Sequence, residues 1–149
     1  MMESWEVVAR ESIRDLVARY NANGDSGRIA QVMALFSPEA EMYLDDGSSY
    51  EGLAEIRTVF DNAAASSGEV PSYIRHFVST HQIDVADDRH ATGRCYYQVL
   101  TAKGLDHWGR YIDEYERIGE RWLFASRRVT LDGLVPGGWA HAQRPNWNG

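Results

Sequence analysis

"YIRHFVSTHQIDV", Tyr73 to Val85, is the stretch on which the fold turns. It is rich in β-branched and aromatic residues and breaks with the helical period of the chain before it, so it reads as a strand. Three stretches of the same kind follow: "HATGRCYYQVLTA" (90–102), "HWGRYIDEYERI" (107–118) and "RWLFASRRVTL" (121–131). Asp87-Asp88, Gly104 and Gly119-Glu120 separate them at hairpin-like distances, which predicts a four-strand antiparallel meander.

Upstream the pattern is helical. Trp5, Val8, Ala9, Ser12, Ile13, Leu16, Val17 and Tyr20 recur at three and four, so one stripe of a first helix faces inward. "NANGDSG" breaks it: Gly24 suits a left-handed position after the helix, and Asp25 or Ser26 suits the N-cap of a second helix carrying Ile29, Val32, Met33 and Phe36. "SPEA" stops that helix. Asp46-Gly47, between "EMYL" and "SSYEG", predicts a short hairpin with a type I′ turn. A third helix spans about Leu53 to Ala65 with Ile56, Val59 and Phe60 on one face, and "SSGEVPS" closes it. Helices first and strands last indicate an α+β domain with the helices on one face of a curved sheet. We place the domain at 1–132; residues 133–149, with Gly, Pro and two Trp but no period, form an irregular extension.

The bulk numbers bound the function. A chain of 149 residues makes one domain with a real core. A formal net charge of -7 with interspersed signs argues against nucleic acid and anionic membrane surfaces as partners. No apolar run approaches the ~18 residues of a bilayer span. The lone Cys95 and the acidic start "MMESWEVVARES" point to a cytoplasmic protein without a secretory leader. Eight Tyr, five Trp and four Phe suit a large core or a lined cavity for a small hydrophobic ligand.

The chain lacks HExxH, CxxC, GxGxxG, P-loop and GxSxG patterns, so neither a metal nor a cofactor is expected and acid–base chemistry remains. His76 and His81 lie five apart on one strand and point to opposite faces unless a bulge intervenes; His76 keeps the more apolar company of Ile74 and Val78. His76 thus reads either as a core histidine or as a base, and Asp25 either as a cap or as its partner. Tyr20 reads as core packing with a hydroxyl at the rim. Arg127 and Arg128 face opposite sides of the last strand, so one of them is directed inward. His107, Gly109, Tyr111, Asp113 and Tyr115 share one face of their strand, opposite Asp106, Trp108, Arg110, Ile112 and Glu114; Arg110, Asp113, Glu114 and Arg117 are expected to form a solvated or dimer-buried charge lattice.

Taken together, "ESIRDLVARYNANGDSGRIAQVMALFSPEAEMYLDDGSSYEG", "RHFVSTHQIDV", "GLDHWGRYIDEYERIGERWLFASRRVTLDG" and "PGGW" resemble the SnoaL-like branch of the nuclear transport factor 2 (NTF2)-like superfamily, over nearly the whole chain. The resemblance implies a cone in which three N-terminal helices lie on a curved antiparallel sheet and enclose one pocket. Relatives include scytalone dehydratase, hexachlorocyclohexane dehydrochlorinase, bile-acid 7α-dehydratase, ketosteroid isomerase and polyketide cyclases. By the same resemblance Asp25 and His76 match the aspartate and catalytic histidine of the dehydratase and dehydrochlorinase branch. Tyr20 matches the tyrosine before that aspartate, Arg127 the arginine of the final strand, and Asp106, more loosely, a further aspartate of the bile-acid enzyme. What this implies is a cofactor-free, dehydratase-like lyase acting on a small hydrophobic alicyclic, steroid-like or polyketide-like substrate. An isomerase or polyketide cyclase using the same pocket, or a non-catalytic binding or accessory subunit, are the alternatives. A homo-oligomer is expected, a dimer first and a trimer second.

Overall fold

The computed structural model describes residues 1–65 and 71–149; most of the helix stop expected at "SSGEVPS" lies outside them. Helix α1 (Ser4–Gly24) is followed by α2 (Ile29–Met33), the hairpin β1 (Phe36–Tyr43) and β2 (Ser49–Glu51), and α3 (Gly52–Ala65). The meander is β3 (Ile74–Val85), β4 (His90–Thr101), β5 (Gly104–Ile118) and β6 (Arg121–Val129). The tail adds β7 (Gly133–Leu134) and α4 (Trp139–Gln143). Strand order is β2-β1-β6-β5-β4-β3, with β7 on β5. All pairs are antiparallel except β1–β6, so the curved, unclosed sheet is mixed.

The first helix buries Ala9, Ile13, Leu16, Val17 and Tyr20 on the inner face of that sheet, at roughly 1.5–3 kcal/mol for each large side chain. The stripe is shorter than expected, because Trp5 and Val8 remain exposed. Tyr20 anchors the interior: Phe36, Phe60, Tyr111 and Phe124 surround its ring at centroid distances between 5.7 and 6.1 Å.

Three local expectations are corrected. The second helix ends at Met33, and Phe36 with "SPEA" belongs to β1. The Leu35 carbonyl accepts from the Phe124 amide, drawing the chain onto the β6 edge, and Pro38 lies where the β1–β6 register shifts, a place that tolerates its missing N–H. In the helix break the left-handed residue is Gly27 (φ 70°), not Gly24; Arg28 precedes α2, and neither Asp25 nor Ser26 caps it. The β1–β2 hairpin forms, but its turn is not type I′. Gly47 alone has positive φ there, while the Asp46 carboxylate accepts from the Ser48 amide at 2.9 Å.

The largest local surprise lies in the stretch that decides the fold. Thr80 adopts φ 54°, and the β3–β4 register slips between Ser79 and Gln82. This bulge reverses the alternation, so Ile74, His76 and Val78 before it, and His81, Ile83 and Val85 after it, all turn inward.

Candidate active site

Asp25 answers to His76. The α1 backbone carries it past the last turn, where its amide donates to the Asn21 carbonyl and its side chain is released toward β3. One carboxylate oxygen lies 2.6 Å from His76 Nδ1, and the other accepts from the His76 backbone N–H at 2.8 Å. Two hydrogen bonds to one residue fix the ring's position and place its proton on Nδ1, leaving Nε2 with a free lone pair. The side chains are 21% and 11% exposed, so both are reachable from solvent.

Cross-strand register supplies a second ring. His76 pairs with Val99 and Val99 with His107, so the two histidines flank a valine on the inner face. Their centroids are 6.4 Å apart, edge to face, and Tyr97 lies 6.1 Å from one and 6.0 Å from the other. His107 Nδ1 is 2.8 Å from Asp106 Oδ2, making a second Asp–His pair. Burial lowers the His107 pKa against the opposing pull of Asp106, so the ring is neutral at pH 7. The indole of Trp139 lies 6.1 Å from His107, and a small cavity of about 160 Å³ between Thr101, Lys103, Asp106 and Trp139 adjoins this wall.

The partly exposed end of the inner face that carries His76 and His107 is the mouth of the candidate site, and beneath it lies a sealed polar floor. Arg127 is the inward arginine and is wholly buried, whereas Arg128 faces out over the Tyr43 ring. Its Nε and Nη2 each donate to Asp113 at 2.8 Å, and its guanidinium stacks 3.8 Å from the Tyr111 centroid and 4.3 Å from that of Tyr20. Asp113 is therefore not part of a solvated lattice. It lies directly opposite Arg127 on the inner face and is 2% exposed. Tyr115 donates to Asp113 at 2.9 Å and meets His81 Nε2 at 3.1 Å, so the His81 nitrogen is the donor. Burial disfavours the charge on Arg127, but Asp113 outweighs it and the pKa rises above that of ordinary arginine. Burial also raises the Tyr20 pKa, so its hydroxyl stays protonated.

The residues singled out from the sequence thus form two groups. Asp25 and His76 meet at the mouth, and Tyr20 and Arg127 meet on the floor. Tyr111 and Tyr97 join them, stacked at 4.7 Å. Sequence reasoning missed His107 as a site residue, although its shared face with Tyr111 and Asp113 carried the signal. No group of three or more His, Cys, Asp or Glu among the described residues is placed to hold a metal ion.

The model of the SnoaL-like domain matches residues 5–128. The chain belongs to that family. Solved structures similar to this SnoaL-like chain include a candidate scytalone dehydratase from Novosphingobium aromaticivorans DSM 12444, with 16% identity, 90% of this chain and 91% of that one covered, and a TM-score of 0.78. The LinA-type3 hexachlorocyclohexane dehydrochlorinase of Novosphingobium barchaimii LL02 has 15% identity, 89% and 92% coverage and a TM-score of 0.75. A Mycobacterium tuberculosis protein of unknown function has 26% identity, 87% and 75% coverage and a TM-score of 0.74. No curated protein matches the chain. These likenesses establish an NTF2-like fold.

Proposed function

We propose that this SnoaL-like protein is a cofactor-free, dehydratase-like lyase for a small hydrophobic alicyclic, steroid-like or polyketide-like substrate. The observation that carries the reading is the carboxylate of Asp25 held 2.6 Å from His76 Nδ1 while both side chains keep a small exposure to solvent. With its proton kept on Nδ1, His76 Nε2 is the base. It removes a proton from carbon next to the leaving group. The C–H electron pair becomes the new double bond, and the leaving group departs with its own bonding pair. The imidazolium that forms is stabilised by Asp25 and then returns its proton to the leaving oxygen or to water.

Tyr20, kept protonated, is the hydrogen-bond donor toward charge that develops over the floor. Arg127 contributes from behind it: Nε and Nη2 are given to Asp113 and hold the floor's shape, while its buried Nη1 has no hydrogen-bond partner. A second reading, isomerisation or cyclisation, draws on His107, since two rings 6.4 Å apart could take a proton from one carbon and return it to another.

The test is mass analysis of cyclic β-hydroxy ketones incubated with the protein in D₂O. Loss of water marks elimination, whereas deuterium uptake at unchanged composition marks isomerisation. His76→Ala is expected to cut the rate about 10²–10⁴-fold. A loss under tenfold would place the base elsewhere, and binding without turnover would move the chain to its accessory, non-catalytic reading.

A further inference from the structure

Asp106 occupies an unusual position on β5. The β4–β5 register runs from Val99 opposite His107 directly to Leu100 opposite Leu105, leaving Asp106 as the extra residue of a bulge. Strict alternation would send its side chain out with Trp108. The bulge turns it in, to 3% exposure.

There the carboxylate is shared between two parts of the molecule. On one side Oδ2 meets His107 Nδ1 at 2.8 Å. On the other, Oδ1 accepts from the Trp139 amide at 2.7 Å and Oδ2 from the Ala140 amide at 3.0 Å, the opening residues of α4. The Asp106 carbonyl also accepts from the Val135 amide at 2.8 Å. The fit leaves no slack: a Cβ on Gly138 would come 2.6 Å from Oδ1 and 3.1 Å from the Val135 carbonyl. Burial opposes charge on Asp106, but hydrogen bonds from His107, Ala140 and Trp139 outweigh it and lower its pKa.

An ionised carboxylate only accepts, so His107 must carry its proton on Nδ1, and Nε2 keeps a lone pair. A neutral histidine side chain free in water favours the other tautomer, with the proton on Nε2. The same two oxygens that hold α4 in place therefore also set which nitrogen of His107 is basic.

We infer that Asp106 is a positioning residue that ties the seating of the C-terminal segment 133–143 to the tautomer of His107, so that this second ring offers a basic Nε2 to the site only while α4 is docked. The inference rests on the proposed reading of the His76–His107 mouth as the reactive site, but its geometry and its test do not need turnover. It also assigns the Asp106 carboxylate to a supporting contact rather than to proton transfer with substrate, because both oxygens are occupied.

The experiment is long-range ¹H–¹⁵N correlation of the histidine rings in the full-length, ligand-free protein at pH 8, well above the lowered pKa of His107. Wild type is expected to show His107 with Nδ1 protonated and Nε2 bare. Gly138→Ala leaves Asp106 and His107 untouched but displaces the carboxylate, and should shift His107 toward the Nε2–H tautomer. Trp139→Pro provides a second variant. Proline is tolerated at a first helical position, yet it deletes one of the two amide donors, so a smaller shift in the same direction is expected.

Wild-type His107 protonated on Nε2, or a His107 tautomer unchanged in a folded variant of either kind, would overturn the inference. Failure of His76→Ala to slow turnover would instead count against the reaction alone, and would leave the tautomer result standing.

Discussion

Two carboxylates in this fold each grip a nitrogen base on the inner face of one sheet, and they differ in almost everything else. Asp113 holds Arg127 with two hydrogen bonds where both side chains have 0% exposure, walled by Tyr20, Tyr111 and Phe124. Asp25 holds His76 where water still reaches both. The first pair can change neither charge nor partner without opening the core. The second can exchange a proton and recover. One arrangement is suited to holding a shape, the other to chemistry, and burial rather than residue type decides which is which.

Breaking the buried pair should have the largest effect. Asp113→Ala strands a guanidinium without a partner, and denaturant melts are expected to show a loss of about 3–5 kcal/mol. The double variant Asp113→Leu with Arg127→Met should be milder than either single change, because it removes both charges together. A double variant as damaging as the singles added together would mean that the pair is not acting as a unit.

The partly buried pair should respond the opposite way. His76→Ala is expected to cost only about 1–2 kcal/mol of stability, since water can solvate the remaining Asp25, while turnover falls by orders of magnitude. Gly93→Ala probes the floor without touching a charge. Its Cβ would lie 2.8 Å from the Tyr115 hydroxyl and 3.0 Å from the Gln82 carbonyl, so melts should show a loss of about 1–3 kcal/mol.

The pH response is subtler. Burial lowers the pKa of both His81 and His107. Below about 6.5, the ordinary histidine value, the unfolded chain binds protons that the native rings refuse. Stability should therefore be flat in these groups above that pH and fall as pH drops from about 6.5 through the lowered native values. His81→Gln should flatten part of that slope in melts taken at stepped pH. Least of all, Arg128→Ala on the outer face should stay within about 0.5 kcal/mol of wild type.

Much of this was legible in the sequence because period and turn chemistry are local. The four meander strands and α1 follow from residue spacing, and Asp25 and His76 stand out through the family resemblance. What was not legible depends on partners far along the chain. "SPEA" looked like a helix stop because its capture by β6 is a tertiary event involving Phe124. Asp113 looked like one charge in a lattice because nothing local says that the residue opposite it would be Arg127, on the inner side. His107 was on the right face, but its nearness to His76 needs the register of three strands at once.

The bulge at Thr80 has a consequence for how the chain tolerates changes of length. Histidines five apart on a flat strand would divide between the two sides of the sheet; the extra residue lets β3 serve the mouth with His76 and the floor network with His81 from one wall. A deletion of Thr80 that left the ends of β3 in place would keep every histidine and every strand. It would also leave the two rings four apart, on the same face of a regular strand, so both could stay inward without the bulge. The rings would part only if β3 kept its length and lost its bulge, a change that composition and hydrophobicity would hardly register but that would separate His76 from Asp25 or His81 from Tyr115.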